Sequence, residues 1–380
     1  MIKLGIERIH EYKSLFEGKR IGLITNPTGV DANFKSTIEI LHEIGTLVSL
    51  FSPEHGVRGN VQAGVKLDPY VDPETNAMVY SLYGETRKPT AEMMADIDVL
   101  CFDIQDVGAR FYTFIYTMAF ALEACKLYQK KMVVFDRPNP LGGVAVEGNL
   151  LDLNFRSFVG YYSIPQRYGL TIGELANFFN ETEGIHADLT VIPMSGYRRS
   201  MNFKDTGLPF VLPSPNIPTI DTIYAYMATC YFEGTNLSEG RGTTKPFQIF
   251  GAPWFNSKLT IEALKAYDLP GVQFRKHYFT PVFSKHANVL CEGLEMFVQD
   301  VHAFEPVKTG VILIHIIRQL HPEFQFIQPP KTSQNLFFNL LMGTDIIEKN
   351  RLSLADLLTK MEADSKRFMT MKERYHLYDV

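Results

Sequence analysis

The sequence predicts an α/β protein: a Rossmann-like parallel-sheet domain at the N-terminus and a smaller α+β domain after it. Three observations predict this. The first half alternates short β-branched runs with helical periodicity, the pattern of a parallel sheet covered on both faces. That regularity stops at a proline-dense segment, LPFVLPSPNIPTIDT (208–222), which places the domains at 1–207 and 208–380. Each strand of the first half also ends in a polar loop shaped by Gly and Pro. Open parallel sheets carry their ligand crevice at that end of the strands.

The elements follow in order. RIGLITN (20–26) is the first strand, FKSTIEILHEI (34–44) a helix by its apolar spacing, and TLVSLFS (46–52) the second strand. MVYSLYG (78–84) gives a third strand, and EMMADI (92–97) is a short helix feeding DVLCFDI (98–104), a buried strand. TFIYTMAFALEACKLYQKK (113–131) is a long helix whose basic end suits the helix dipole. MVVFD (132–136) and LTVIPM (189–194) are strands, with a helix over 171–182 between them. Thr171 and Glu174 form the capping-box pattern at the start of that helix. No G-x-G-x-x-G opens the first helix, so the sheet is not a dinucleotide-binding one. In the second half, GVQFRKHYFTPVF and CEGLEMFVQD look like strands, and TGVILIHIIRQL and SLADLLTKMEAD like helices.

Bulk properties narrow the function. Apolar residues make up 46% and charged residues 21% of 380, ordinary for a soluble enzyme of about two domains. A net charge of −5 offers no cationic surface to phosphate backbones, so no nucleic-acid partner is expected. No apolar run is long enough for membrane insertion. The opening MIKLGIERIHEYKSLFEGKR has no signal-peptide core, so the expectation is a periplasmic or secreted protein if a leader has been removed, and a cytoplasmic one otherwise. Cys101, Cys125, Cys230 and Cys291 are far apart and read as small buried apolar residues, with no disulfide framework or zinc site. No cofactor is implied, and the oligomeric state is not fixed.

Five strand-end loops, TNPTG, SPEHG, YGETRKP, DIQDVGARFYT and DRPNPLGG, deliver polar residues toward one rim. They carry Asn26, Glu54, His55, Glu85, Asp103, Gln105, Asp106, Arg110, Tyr112, Asp136, Arg137 and Asn139, with Arg58 two residues beyond SPEHG. One acidic turn means little, but five such loops are better explained by a site. A second group, EGTNLSEGRGTTKPF (233–247), sets Glu233, Asn236, Glu239, Arg241 and Lys245 among glycines and reads as a ligand-binding loop facing the crevice. It is not a phosphate loop, lacking G-x-x-x-x-G-K-[ST]. Plainer readings stand beside these. Asp136 and Arg137 are equally well read as a structural ion pair, Arg110 as a partner ordering Asp106, Glu147 as a solvated acid, and His55 as a turn cap. Glu54 favours function, because Pro53 and Gly56 hold it on a shaped turn at a strand end.

Nucleophile elbow, H-E-x-x-H run and Walker loop are all absent. What remains is a carboxylate-rich crevice with Arg and Asn, the equipment of glycoside hydrolysis. There one acid protonates the leaving oxygen and a second carboxylate serves the anomeric centre or a water. Two other classes stay open: a two-lobed sugar or muropeptide receptor without catalysis, and a metal-dependent hydrolase using Asp103, Asp106 and His55.

LITNPTGV, SPEHGVRG, YSLYGETRKPT, FDIQDVGARFYT, DRPNPLGG, EGTNLSEGRGTTKPF and GAPW, in this order, resemble the exo-β-N-acetylmuramidase family of the NamZ type. The resemblance runs from about Leu4 into the C-terminal region. It implies removal of N-acetylmuramic acid from non-reducing ends of peptidoglycan fragments, in a cleft between a Rossmann-like domain and a smaller one. Carried over by motif, Glu54 resembles the proposed catalytic acid, and the DIQDVGARFYT and EGTNLSEGRGTT residues look like the rest of the cleft. The acid-rich loop ending the fourth strand is expected to supply the partner carboxylate, Asp103 or Asp106, with Glu239 next in line. In QRYGLT, Tyr168 stands where the family pattern has His, which leaves a catalytic role at 168 unsupported. The implied sugar carries a lactyl carboxylate, and an arginine fork is its natural partner. Arg58, Arg110, Arg137 and Arg241 could supply it.

Overall fold

The apolar runs of the first half lie side by side in one sheet. The computed structural model describes residues 2–53, 56–59, 68–84, 86–329 and 334–380. In chain order its first half forms β1 (Arg20–Thr25), α1 (Thr37–Ile44), β2 (Thr46–Ser52), β3 (Tyr70–Val71), β4 (Met78–Ser81), α2 (Ala91–Met94), β5 (Val99–Asp103), α3 (Phe114–Leu127), β6 (Lys131–Phe135), α4 (Ile172–Thr182), β7 (Leu189–Ile192) and the single turn α5 (Phe203–Thr206). The strand order is β3-β4-β2-β1-β5-β6-β7. Neighbours run parallel except β3, which is antiparallel to β4. From β1 the order runs outward both ways, so the topological switch point lies between β1 and β5.

Period-two alternation gives the sheet two buried faces. Leu100 and Phe102 of β5 join one core with α3 and α4. Val99 and Cys101 join the other, with Ile38 and Leu41 of α1. All four cysteines are buried and free. The capping box predicted at Thr171 and Glu174 is present. The first helix starts at Thr37 rather than at 34, because Ser36 and Glu39 close a second capping box there while Phe34 sits at φ +66°. The long helix stops at Leu127, short of 131: Gln129 turns left-handed at φ +53° and Lys131 already begins β6.

The second half forms α6 (Ile220–Thr229), β8 (Ile249–Ala252), α7 (Ser257–Leu264), β9 (Val272–Phe279), β10 (Cys291–Val298), α8 (Pro306–Leu320), α9 (Phe337–Met342) and α10 (Leu354–Lys372). The two expected strands pair antiparallel as β9 and β10, and β8 adds to the free side of β10. Gly293 permits that pairing, since a Cβ there would sit 2.0 Å from the Phe250 carbonyl oxygen. The proline-dense segment ends inside α6, whose N-cap is Thr219.

Buried polar groups tie the halves together. Glu147 is not a solvated acid. It pairs with Arg167 at 2.6 Å and accepts the Val307 N–H at 3.1 Å, where the α8 dipole favours a carboxylate. The chain then returns to its first half. Phe368 and Tyr375 enter the core of α3 and α4. The ammonium of Lys372 donates to the carbonyls of Gly143 (2.7 Å) and Gly169 (2.6 Å), and burial pulls its pKa down to about 7. Asp136 collects both ends of the chain: its carbonyl accepts the Gly5 N–H at 3.0 Å and its Oδ2 accepts the Tyr378 hydroxyl at 2.5 Å.

Candidate active site

The loops leaving β1, β5 and β6 are cross-tied at the switch point. Oδ1 of Asn26 accepts the Thr28 N–H (3.0 Å) and hydroxyl (2.5 Å), and the Gln105 N–H donates to that same hydroxyl at 2.9 Å. The Gln105 amide donates to the carbonyls of Asp106 and Pro138, each at 2.8 Å. Asn139 donates to the Leu170 carbonyl and accepts the Leu141 N–H. Gly108, at φ +80°, lets that asparagine close in, since a Cβ there would lie 2.4 Å from Asn139 Oδ1. Asn26, Gln105 and Asn139 therefore shape the rim, Asn26 through its side-chain oxygen and the other two through their amide N–H groups.

Asp103 and Arg137 hold each other. Arg137 Nε lies 2.5 Å from Asp103 Oδ1 and Nη2 lies 2.8 Å from Oδ2, both side chains being sealed. The Thr37 hydroxyl also donates to Asp103, and Arg137 reaches the Val30 carbonyl. The buried ion pair is thus Arg137 with Asp103, not with Asp136. Asp136 accepts from Gly173 N, the Thr171 hydroxyl and Tyr378, and burial pushes its carboxyl up to about 7.

Asp106 is a different carboxyl. Its Oδ2 accepts the Gly108 N–H at 2.7 Å and the Tyr168 hydroxyl. Its Oδ1 is buried without a partner among the described residues. Burial raises the group to about 6, and those donors hold it from going higher. Arg110 does not order Asp106. Its two terminal nitrogens donate to the carbonyls of Asn149, Ile164, Leu341 and Met342 at 2.8–3.0 Å. The last two belong to the second half, so Arg110 is a clamp between the halves, and desolvation lowers its pKa to about 10.

Glu54, His55 and Glu85 lie outside the described residues. Arg58, near them in sequence, holds Asp72 through two contacts of 2.9 and 3.0 Å and Glu74 at 2.9 Å. In the glycine-rich loop, Asn236 is a strap: it donates to the Glu323 carbonyl and accepts the Gln325 N–H. Glu239 is nearly sealed, with Lys285 Nζ at 2.7 Å and Arg241 Nε at 3.4 Å.

One open space lies where the loop after β5 faces the glycine-rich loop and α9. A cavity of about 220 Å³ is lined there by Tyr112, Phe114, Tyr226, Glu233, Arg241 and Phe337, among others. The Tyr112 ring meets Phe114 and Tyr226 edge-on, at 5.0 and 5.8 Å. Arg241 lies over the Phe247 ring at 5.2 Å and donates from Nη2 to Glu233 Oε1 at 3.0 Å. Its Nη1 has no partner among the described residues. Burial raises the Glu233 carboxyl, Arg241 partly opposes this, and Glu239 adds to it. Of the residues singled out in the sequence, this cavity gathers Tyr112, Glu233 and Arg241, with Glu239 against Arg241. Sequence reasoning passed over Tyr226, Phe337 and the central place of Glu233. The glycine-rich string contains Glu233, but no spacing rule lifts it above its neighbours. Among the described residues no group of three or more His, Cys, Asp or Glu is placed to hold a metal ion.

The family model described as "Exo-beta-N-acetylmuramidase NamZ, N-terminal" matches residues 21–221, and its C-terminal counterpart matches 224–378. The peptidoglycan beta-N-acetylmuramidase NamZ of Bacillus subtilis (strain 168) is 48% identical over 384 residues, covering 99% of this chain and 91% of that protein. Two crystal structures of DUF1343 family proteins from Bacteroides fragilis NCTC 9343 superpose over all of this chain and 99% of theirs. Their TM-scores are 0.91 and 0.79, at 38% and 32% identity.

Proposed function

Because the chain belongs to the exo-β-N-acetylmuramidase NamZ family, we propose that it is a glycosidase releasing N-acetylmuramic acid from the non-reducing ends of peptidoglycan fragments, with units 1–207 and 208–380 closing one cleft. The single observation carrying this reading is the placement of Arg241. Of the four arginines that could meet a lactyl carboxylate, Arg110 and Arg137 are spent on buried protein partners and Arg58 on Asp72 and Glu74. Arg241 alone of these lines the cavity, beside aromatic rings suited to a pyranose. A guanidinium with an open N–H edge fits a carboxylate. Glu54 is the proposed general acid, resting on the SPEHG motif.

The test is incubation of the full chain with a N-acetylmuramyl-N-acetylglucosamine disaccharide and with nitrophenyl β-N-acetylmuraminide. Free N-acetylmuramic acid from both is expected. A disaccharide bound but left intact would make the chain a receptor instead.

A further inference from the structure

We infer that Glu233 is the second catalytic carboxylate of the cleft, taking the proton of the water that attacks the anomeric carbon. This rests on the glycosidase reading above and extends it to a named residue.

Among the described residues, the other carboxylates of these loops are engaged or sealed. Asp103 is locked in a two-point ion pair with Arg137. Asp106 is 5% exposed and lines none of the cavity's wall. Glu239 is 2% exposed and is held by Lys285 and Arg241. Glu233 is the carboxylate in the cavity wall among the described residues. Its contacts fall on one oxygen: Arg241 Nη2 at 3.0 Å and the Cys230 thiol at 4.0 Å both reach Oε1. Oε2 has no partner among the described residues and belongs to a side chain still 21% exposed. A carboxylate fixed by one oxygen and free at the other is preorganised to orient a water. Burial strengthens it as a base, while Arg241 favours its ionised form. The water oxygen bonds to the anomeric carbon and its proton passes to Glu233 Oε2. The glycosidic bond breaks, and its electron pair stays on the leaving oxygen, which is protonated by the acid of the pair.

The experiment uses the full chain and its Glu233→Gln, Glu233→Asp and Glu233→Ala variants on nitrophenyl β-N-acetylmuraminide. Wild-type turnover tests the glycosidase reading by itself; if it is absent, that reading fails before the variants are compared. Given turnover, Glu233→Gln should lose about 100- to 10,000-fold in kcat with KM within about threefold, and Glu233→Asp should recover part of the loss. The acid limb of the wild-type kcat profile should vanish in Glu233→Gln. Azide should restore turnover to Glu233→Ala and give the α-glycosyl azide, and the first sugar released by the wild type should be the α anomer. A folded Glu233→Gln with near-wild-type kcat, a loss confined to KM, a β-glycosyl azide, or a β anomer released first would overturn the assignment. If Glu233→Gln fails to fold, the Asp and Ala variants and the anomer released by the wild type decide it.

Discussion

The hydroxyl of Tyr168 donates to Oδ2 of Asp106, with the two side chains 1% and 5% exposed. The position where the family motif leads one to expect an imidazole thus holds a neutral phenol against a buried carboxyl. That carboxyl is raised to about 6 by burial, while Tyr168 and the Gly108 N–H draw it back down.

A stability test follows from that contact. The folded pKa of Asp106 lies above its unfolded value of about 3.9, so the folded state holds the proton more tightly. This group's contribution to stability is full below about pH 4 and is lost as pH rises through about 6. Asp106→Asn cannot ionise. Its stability relative to wild type should therefore improve from pH 4 to pH 7.5 by up to about 3 kcal/mol, two pKa units at 1.36 each. Urea unfolding at the two pH values measures this, and a difference that does not change with pH would contradict it.

Asp103 and Arg137 should behave as framework. Asp103→Asn leaves a buried guanidinium without its counter-charge, and a loss of about 3–5 kcal/mol is expected in denaturant unfolding. Adding Arg137→Met should restore part of it, because the stranded charge is removed. A double variant no more stable than Asp103→Asn would show that the arginine was never left stranded.

Arg241→Lys replaces a fork with a point charge. On nitrophenyl β-N-acetylmuraminide, kcat/KM should fall about 10- to 100-fold, the scale of a charge-assisted hydrogen bond. On the β-N-acetylglucosaminide, which has no lactyl group, the loss should be smaller, confined to what the change does through Glu233. Equal losses on both sugars would separate Arg241 from lactyl recognition.

Glu54→Gln should retain fold and substrate affinity while losing about 100- to 10,000-fold in kcat. Calorimetric binding of N-acetylmuramic acid alongside turnover distinguishes the two. Near-normal turnover would remove Glu54 from the chemistry.

The parallel sheet was legible because its strands are apolar runs and its helices carry capping boxes, at Ser36–Glu39 and Thr171–Glu174, both of which are local signals. β8 was not, being four residues of which two are Gly and Ala, and paired only through β10. The site divided along the same line. Arg110 follows Gly-Ala and Arg241 sits between glycines, so local dressing does not separate them. What separates them is a contact 231 residues away, where Leu341 offers Arg110 a carbonyl. Asp103 and Asp106 likewise differ by which distant partner reaches them, Arg137 or Tyr168. Local pattern locates a rim; long-range packing decides which of its side chains remain available.

Asp136 touches Gly5 at one end of the chain and Tyr378 at the other. Asp136 and the carbonyls of Gly143 and Gly169 thus take Tyr378 and Lys372 as donors from more than 200 residues further along the sequence. A chain cut before residue 372 would keep every strand of the sheet but leave those three acceptors without these donors. Limited proteolysis of the 136–143 region would separate chains with residues 372–378 docked from chains truncated before them.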